Sequence, residues 1–172
     1  MKFSPVLPAA GIALRTLIVL TWVVGTLIFA LLLISFQFED LTLRALGVGS
    51  MAGHEGIIAG LRSIMVIGIV SVPIAFVIFR QLLRIVRSVR AGEPFTAENA
   101  GRLKAIAWAL FALEMLHICV VAIASAVSTK EVPLRIGGDF NLTDWLAILL
   151  LFVLAQVFLE GARMRDDLEG TV

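Results

Sequence analysis

Four long apolar stretches constrain this chain more than any other feature, at roughly residues 12–36, 57–79, 105–127 and 145–159. A run of about 18 or more apolar residues is long enough to cross a hydrocarbon core of about 30 Å as a helix. Three stretches exceed that length and the fourth comes close. Lipid offers no water to backbone N–H and C=O groups, so each span must close its hydrogen bonds internally as a helix. The chain has 172 residues and is 60% hydrophobic, above the roughly 45–50% of soluble domains. Four spans and their short connections use nearly all of it. The expected fold is therefore an all-α integral membrane protein: a single domain, residues 1–172, of four transmembrane helices in an antiparallel bundle.

Charge gives the expected orientation. The net charge is only +1, so the balance points to no direct nucleic-acid partner, but its distribution is uneven. Residues 80–104 carry Arg80, Arg84, Arg87, Arg90, Arg102 and Lys104, and the same side holds Lys2, Arg15, Arg163 and Arg165. The opposite side has only Arg44, Arg62, Lys130 and Arg135. The positive-inside rule then places the basic gap and both termini in the cytoplasm. An even number of spans agrees. The first apolar run is too long for a signal-peptide core and no clear cleavage site follows it, so it reads as a retained first helix.

The second helical pattern does not stop at the membrane surface. Arg80, Arg84 and Arg87 recur at i, i+4 and i+7, with Leu82, Leu83, Val86 and Val89 mostly on the other faces. Helices 2 and 4 are both expected to extend into the cytoplasm. The plain reading of such a stripe is attraction to anionic headgroups. The sharper one is a docking surface for an acidic protein face. Gly92 and Pro94 end the second helix, and Thr96 is placed to cap the third with Glu98 in its first turn. Pro73 predicts a kink. Gly56 and Gly60 form a GxxxG pair, and Thr21 and Gly25 a small-xxx-small pair, both suited to close helix approach. In the outer loops, Asp40 and Gly47 would bound a short helical turn, and the glycine-rich remainder of that loop would hold a solvated His54. The alternation of Val132, Leu134 and Ile136 before Gly137-Gly138 suggests a small hairpin or irregular cap. Thr143 can cap the fourth helix.

Glu114 is the one acidic residue deep in a span, with His117 one turn further on. Ionisable groups at that depth cost about 3 kcal/mol on insertion scales and usually face a bundle interior or cavity. Glu114, His117, Arg62 and Gln156 make the candidate intramembrane polar site, acting as a structural lock, a proton relay or a ligand contact. The Glu-x-x-His spacing matches half of a di-iron motif, but the second pair and the further glutamates are missing. The one cysteine, Cys119, forms no CxxC, and no Ser/His/Asp set, phosphate loop or zinc motif occurs. No catalytic residue, cofactor or metal is expected.

Two segments carry a resemblance. Arg87-Ser-Val-Arg-Ala-Gly-Glu-Pro-Phe-Thr-Ala-Glu-Asn-Ala-Gly-Arg-Leu103 joins helices two and three, and Phe158-Leu-Glu-Gly-Ala-Arg-Met-Arg-Asp-Asp-Leu-Glu-Gly-Thr-Val172 ends the chain. Together they resemble a bacterial inner-membrane family known as domain of unknown function 2975, over nearly the full length. That family tends to be encoded beside a small Cro/CI-type helix-turn-helix regulator. The resemblance implies a non-enzymatic membrane partner that sequesters or releases that regulator, and it carries over no catalytic residues. The candidate partner-binding residues are Arg80, Arg84, Arg87, Arg90, Glu93, Phe95, Glu98, Asn99, Arg163, Arg165, Asp166 and Asp167. The alternative is an oligomeric, proton-coupled transport or channel-like protein using Glu114 and His117.

Overall fold

The computed structural model describes residues 6–38, 55–128 and 141–169. These form four helices, α1 (Val6–Gln37), α2 (Glu55–Arg90), α3 (Ala97–Val127) and α4 (Leu142–Glu169), long, apolar and packed as an antiparallel bundle. All four contain membrane-length apolar spans, within Pro8–Gln37, Gly56–Arg90, Ala97–Val127 and Leu142–Arg165. Large apolar side chains such as Ile12, Val19, Leu27, Leu149 and Val153 are exposed, as expected where lipid rather than water is the solvent. The chain is a multi-pass membrane protein. The expected outer-loop turn, with Asp40, Gly47 and His54, and the expected hairpin cap lie outside the described residues.

Hydroxyl groups within the helices turn back on their own backbone, as apolar surroundings demand. Thr16 donates to the Ile12 carbonyl at 3.2 Å, Thr26 to Trp22 at 2.9 Å, Ser63 to Ala59 at 2.9 Å, and Ser125 to Ala122 at 2.8 Å. α2 continues through Pro73. The proline lacks the N–H that would have bonded the Ile69 carbonyl, and two residues earlier Ser71 Oγ donates to the Gly68 carbonyl at 2.6 Å.

The bundle divides into two compact units. The first holds the described residues of Met1–Leu20, Ile74–Leu113 and Asn141–Val172. Its core is Ile78, Ile106 and Ala109, with Leu82, Ile85, Leu110 and Leu151 packed on them. Beside it runs a chain of edge-to-face aromatic pairs, Phe152 to Trp108 at 5.4 Å, Trp108 to Phe111 at 5.8 Å and Phe111 to Trp145 at 5.9 Å. α4 starts two residues earlier than a Thr143 cap would require. Asn141 is the cap, its Oδ1 accepting the Thr143 N–H at 3.1 Å. Asparagine is also a good N-cap, and the sequence reading passed over Asn141 for Thr143, two residues on.

The second unit holds the described residues of Thr21–Pro73 and Glu114–Phe140. Glycine sets its closest approaches. A Cβ on Gly25 would lie 2.8 Å from Val72, and one on Gly60 2.7 Å from Val127. Gly56 meets no described residue within 4 Å. Of the GxxxG pair, only Gly60 has a described neighbour at that distance.

Candidate functional site

The α2–α3 turn is the most densely bonded polar structure among the described residues, and it is built from local chemistry. α2 ends in a Schellman motif: the Glu93 N–H donates to the Ser88 carbonyl and the Gly92 N–H to the Val89 carbonyl, both at 3.1 Å. The motif needs a left-handed residue, and Gly92 supplies it with φ +87°. Thr96 then caps α3 as expected, its Oγ1 accepting the Asn99 N–H at 3.2 Å.

Asn99 ties the two helix ends together. Its side chain is 0% exposed. Nδ2 donates to Ser88 Oγ and to the Pro94 carbonyl at 2.8 Å each, with the Glu93 carbonyl at 3.3 Å. Its Oδ1 accepts from Arg102 Nη1 at 2.8 Å. Ser88 Oγ passes its own proton to the Glu93 carbonyl at 2.5 Å. Every polar atom of Asn99 is thus used inside the turn, so the side chain holds the turn's shape and presents nothing outward. Arg102 also pairs with Glu98 at 2.6 Å. Phe95 stacks on Phe158 of α4 with ring centroids 5.0 Å apart and lies 3.4 Å from where a Gly161 Cβ would sit.

On this frame Arg80, Arg84, Arg87 and Arg90 are all exposed along one face of α2. Arg80 lies over the Phe76 ring at 5.9 Å, and Arg84 reaches Gln81 at 3.4 Å. None of the four forms an ion pair with a described residue. An open groove of about 480 Å³ lies beside them, lined by Arg84, Arg87, Glu93, Ala97, Glu98 and Arg102 among others. The α4 charges differ from the stripe: Arg163 pairs with Glu160 at 3.4 Å, and Arg165 and Asp167 are engaged in interactions of their own. The Asp166 side chain lies outside the described residues.

The intramembrane candidates separate. Arg62 is committed to the end of α1. Its Nη2 donates to the Ser35 carbonyl, its Nε to Ser35 Oγ at 3.2 Å, and its guanidinium sits 4.5 Å from the Phe36 ring centroid. The last carbonyls of a helix have no intrahelical partner and carry partial negative charge. α1 has no basic residue in its last turn, and Arg62 supplies the cation from α2. Glu114 is half-buried and His117 exposed, one turn apart on α3. Among the described residues no ion pair joins Glu114 to Arg62 or His117, and no group of three His, Cys, Asp or Glu residues could hold a metal. Gln156 belongs to the other unit and is exposed on α4.

Sequence reasoning missed Ser88, Arg102 and Ser35 as members of these networks. Ser88 could have been found by counting five residues back from Glu93, the spacing of a helix end closed by Gly92.

A family model described as protein of unknown function (DUF2975) matches residues 47–172. No curated protein and no solved structure shows a significant match.

Proposed function

We propose, from the premise that the chain belongs to the DUF2975 family of proteins of unknown function, that it is a non-enzymatic regulator of a bacterial inner membrane. In this reading its α2–α3 turn and the end of α4 face the cytoplasm and dock a small Cro/CI-type helix-turn-helix regulator. The excess of basic residues in the 80–104 segment and at both termini supports that orientation.

The observation behind the reading is the four-arginine stripe. Its guanidiniums are exposed and lack carboxylate partners among the described residues, while the turn beside them is fixed by its own bonds. Preorganised, unpaired charge suits recognition of an acidic surface and steers encounter. Binding the regulator here would hold it away from DNA, and a signal reaching the membrane domain would set how much is released.

Pull-down from membranes with the neighbouring regulator tests this. Wild type is expected to capture it, and reversal of Arg80, Arg84, Arg87 and Arg90 to glutamate to abolish capture. No capture by wild type, or equal capture by the reversed stripe, would overturn it.

A further inference from the structure

The groove beside the turn supports a second inference, concerning depth in the membrane. Ile78 of α2 and Leu151 of α4 meet on one core cluster, and both helices run from there toward the turn. At about 1.5 Å per residue, Arg84 lies about 9 Å beyond Ile78 and Arg87 about 13.5 Å. On α4 the same advance reaches Val157 and Glu160. The Phe95–Phe158 contact at 5.0 Å fixes the turn at that same level. Apolar surface is still exposed there: Val157 is 56% exposed, Phe95 47% and Met164, one turn past Glu160, 58%. Arginines level with uncovered valine, phenylalanine and methionine describe the headgroup layer, where cations meet phosphates while apolar groups stay in the acyl boundary.

We propose that the groove lined by Arg84, Arg87 and Arg102 holds the phosphate of an anionic phospholipid. Arg84 and Arg87 bring guanidiniums with no ion pair to a described residue, each able to grip phosphate oxygens with two parallel N–H bonds. Arg102 adds a third charge, held in place by Asn99 and Glu98. Glu98 is neutralised by Arg102, and Glu93 is the remaining carboxylate of the lining. That balance suits a singly charged phosphodiester better than a doubly charged free phosphate. An acidic protein segment in the groove would leave Val157 and Met164 in water, whereas a lipid covers the charge and the apolar surface together. The lipid and a docked regulator would contend for Arg84 and Arg87; the inference does not rest on regulator docking, and its test uses no regulator.

The test is native mass spectrometry of the full chain in detergent, titrated with phosphatidylglycerol or phosphatidylcholine and no regulator. Wild type is expected to retain phosphatidylglycerol in preference to phosphatidylcholine. Arg84→Gln with Arg87→Gln should weaken that retention roughly 30-fold, two charges at the usual strength of a basic residue at a membrane surface. Arg84→Lys with Arg87→Lys, which keeps the charge and loses the fork, should weaken it by a smaller factor and decides the matter should the glutamine pair not fold. Arg15→Gln, exposed on α1, should change nothing. Equal retention of both lipids, no loss in either double variant, or an equal loss in Arg15→Gln would overturn the proposal. Displacement of the lipid by inorganic phosphate, with phosphate binding lost in the glutamine pair, would make the occupant a soluble anion and overturn it too.

Discussion

Replacing Asn99 with alanine should open the α2–α3 turn while leaving the helices formed. The substitution deletes two neutral bonds at 2.8 Å, to Ser88 Oγ and the Pro94 carbonyl, and one accepted from Arg102. Neutral bonds contribute about 1 kcal/mol each and a bond to a charged group about 1.5–3 kcal/mol. Arg102 keeps Glu98 and partial access to water, so the lower end applies and the loss comes to about 3.5 kcal/mol. Nearly all of it falls on local opening, which would make the open turn roughly 300-fold more populated. Trypsin reads this directly, because Arg90 ends α2 and cleavage tracks the open population when closing is fast. In detergent micelles, cleavage after Arg90 should accelerate by that order while cleavage after Arg163 stays constant. Asn99→Asp makes the contrast sharper: it retains the shape and an acceptor for Arg102 but has no donor for Ser88 or Pro94, so it should also be cleaved fast. An acceleration of less than about threefold in Asn99→Ala, equivalent to under about 0.7 kcal/mol, would refute the assignment of Asn99 as the tie between the helix ends.

Three further outcomes concern the second unit. Gly60→Ala should lower the thermal midpoint in detergent, since its Cβ would lie 2.7 Å from Val127 and overpacking costs about 1–3 kcal/mol; adding Val127→Ala should recover most of the loss. Gly56→Ala, with no described residue within 4 Å, should leave the midpoint unchanged or raise it, because alanine favours a helix by about 1 kcal/mol over glycine. Arg62→Gln should cost about 2 kcal/mol by releasing the Ser35 carbonyl at the end of α1, with Arg62→Lys falling between it and wild type in the same melt.

The helices were legible because lipid leaves a span no alternative to a helix, and length then fixes the count. Thr96 and Gly92 were legible because capping and left-handed turns depend on local residue type. Asn99 was not. A polar residue in a charged connection reads as surface, and its burial follows only once Ser88, Pro94 and Arg102 converge on it. Arg62 misled in the opposite direction. Near the end of a span it reads as one of a polar group with Glu114, yet it bonds Ser35 of α1, 27 residues away in sequence. The Gly56–Gly60 pair shows the limit of a motif. Spacing places two glycines on one face, but only the neighbour's position decides which is used.

The bonds that close the α2–α3 turn span at most 11 residues, from Ser88 to Asn99. All are therefore available once α3 has been synthesised as far as Arg102, with α4 still untranslated. Chains are made from the N-terminus, and local contacts form fast because little loop entropy must be lost. The second and third helices can thus enter the bilayer as a finished hairpin with its polar end already satisfied. α4 arrives later to a prepared seat, where Phe158 and Gly161 receive Phe95. One buried asparagine in this way helps set the order in which the bundle assembles.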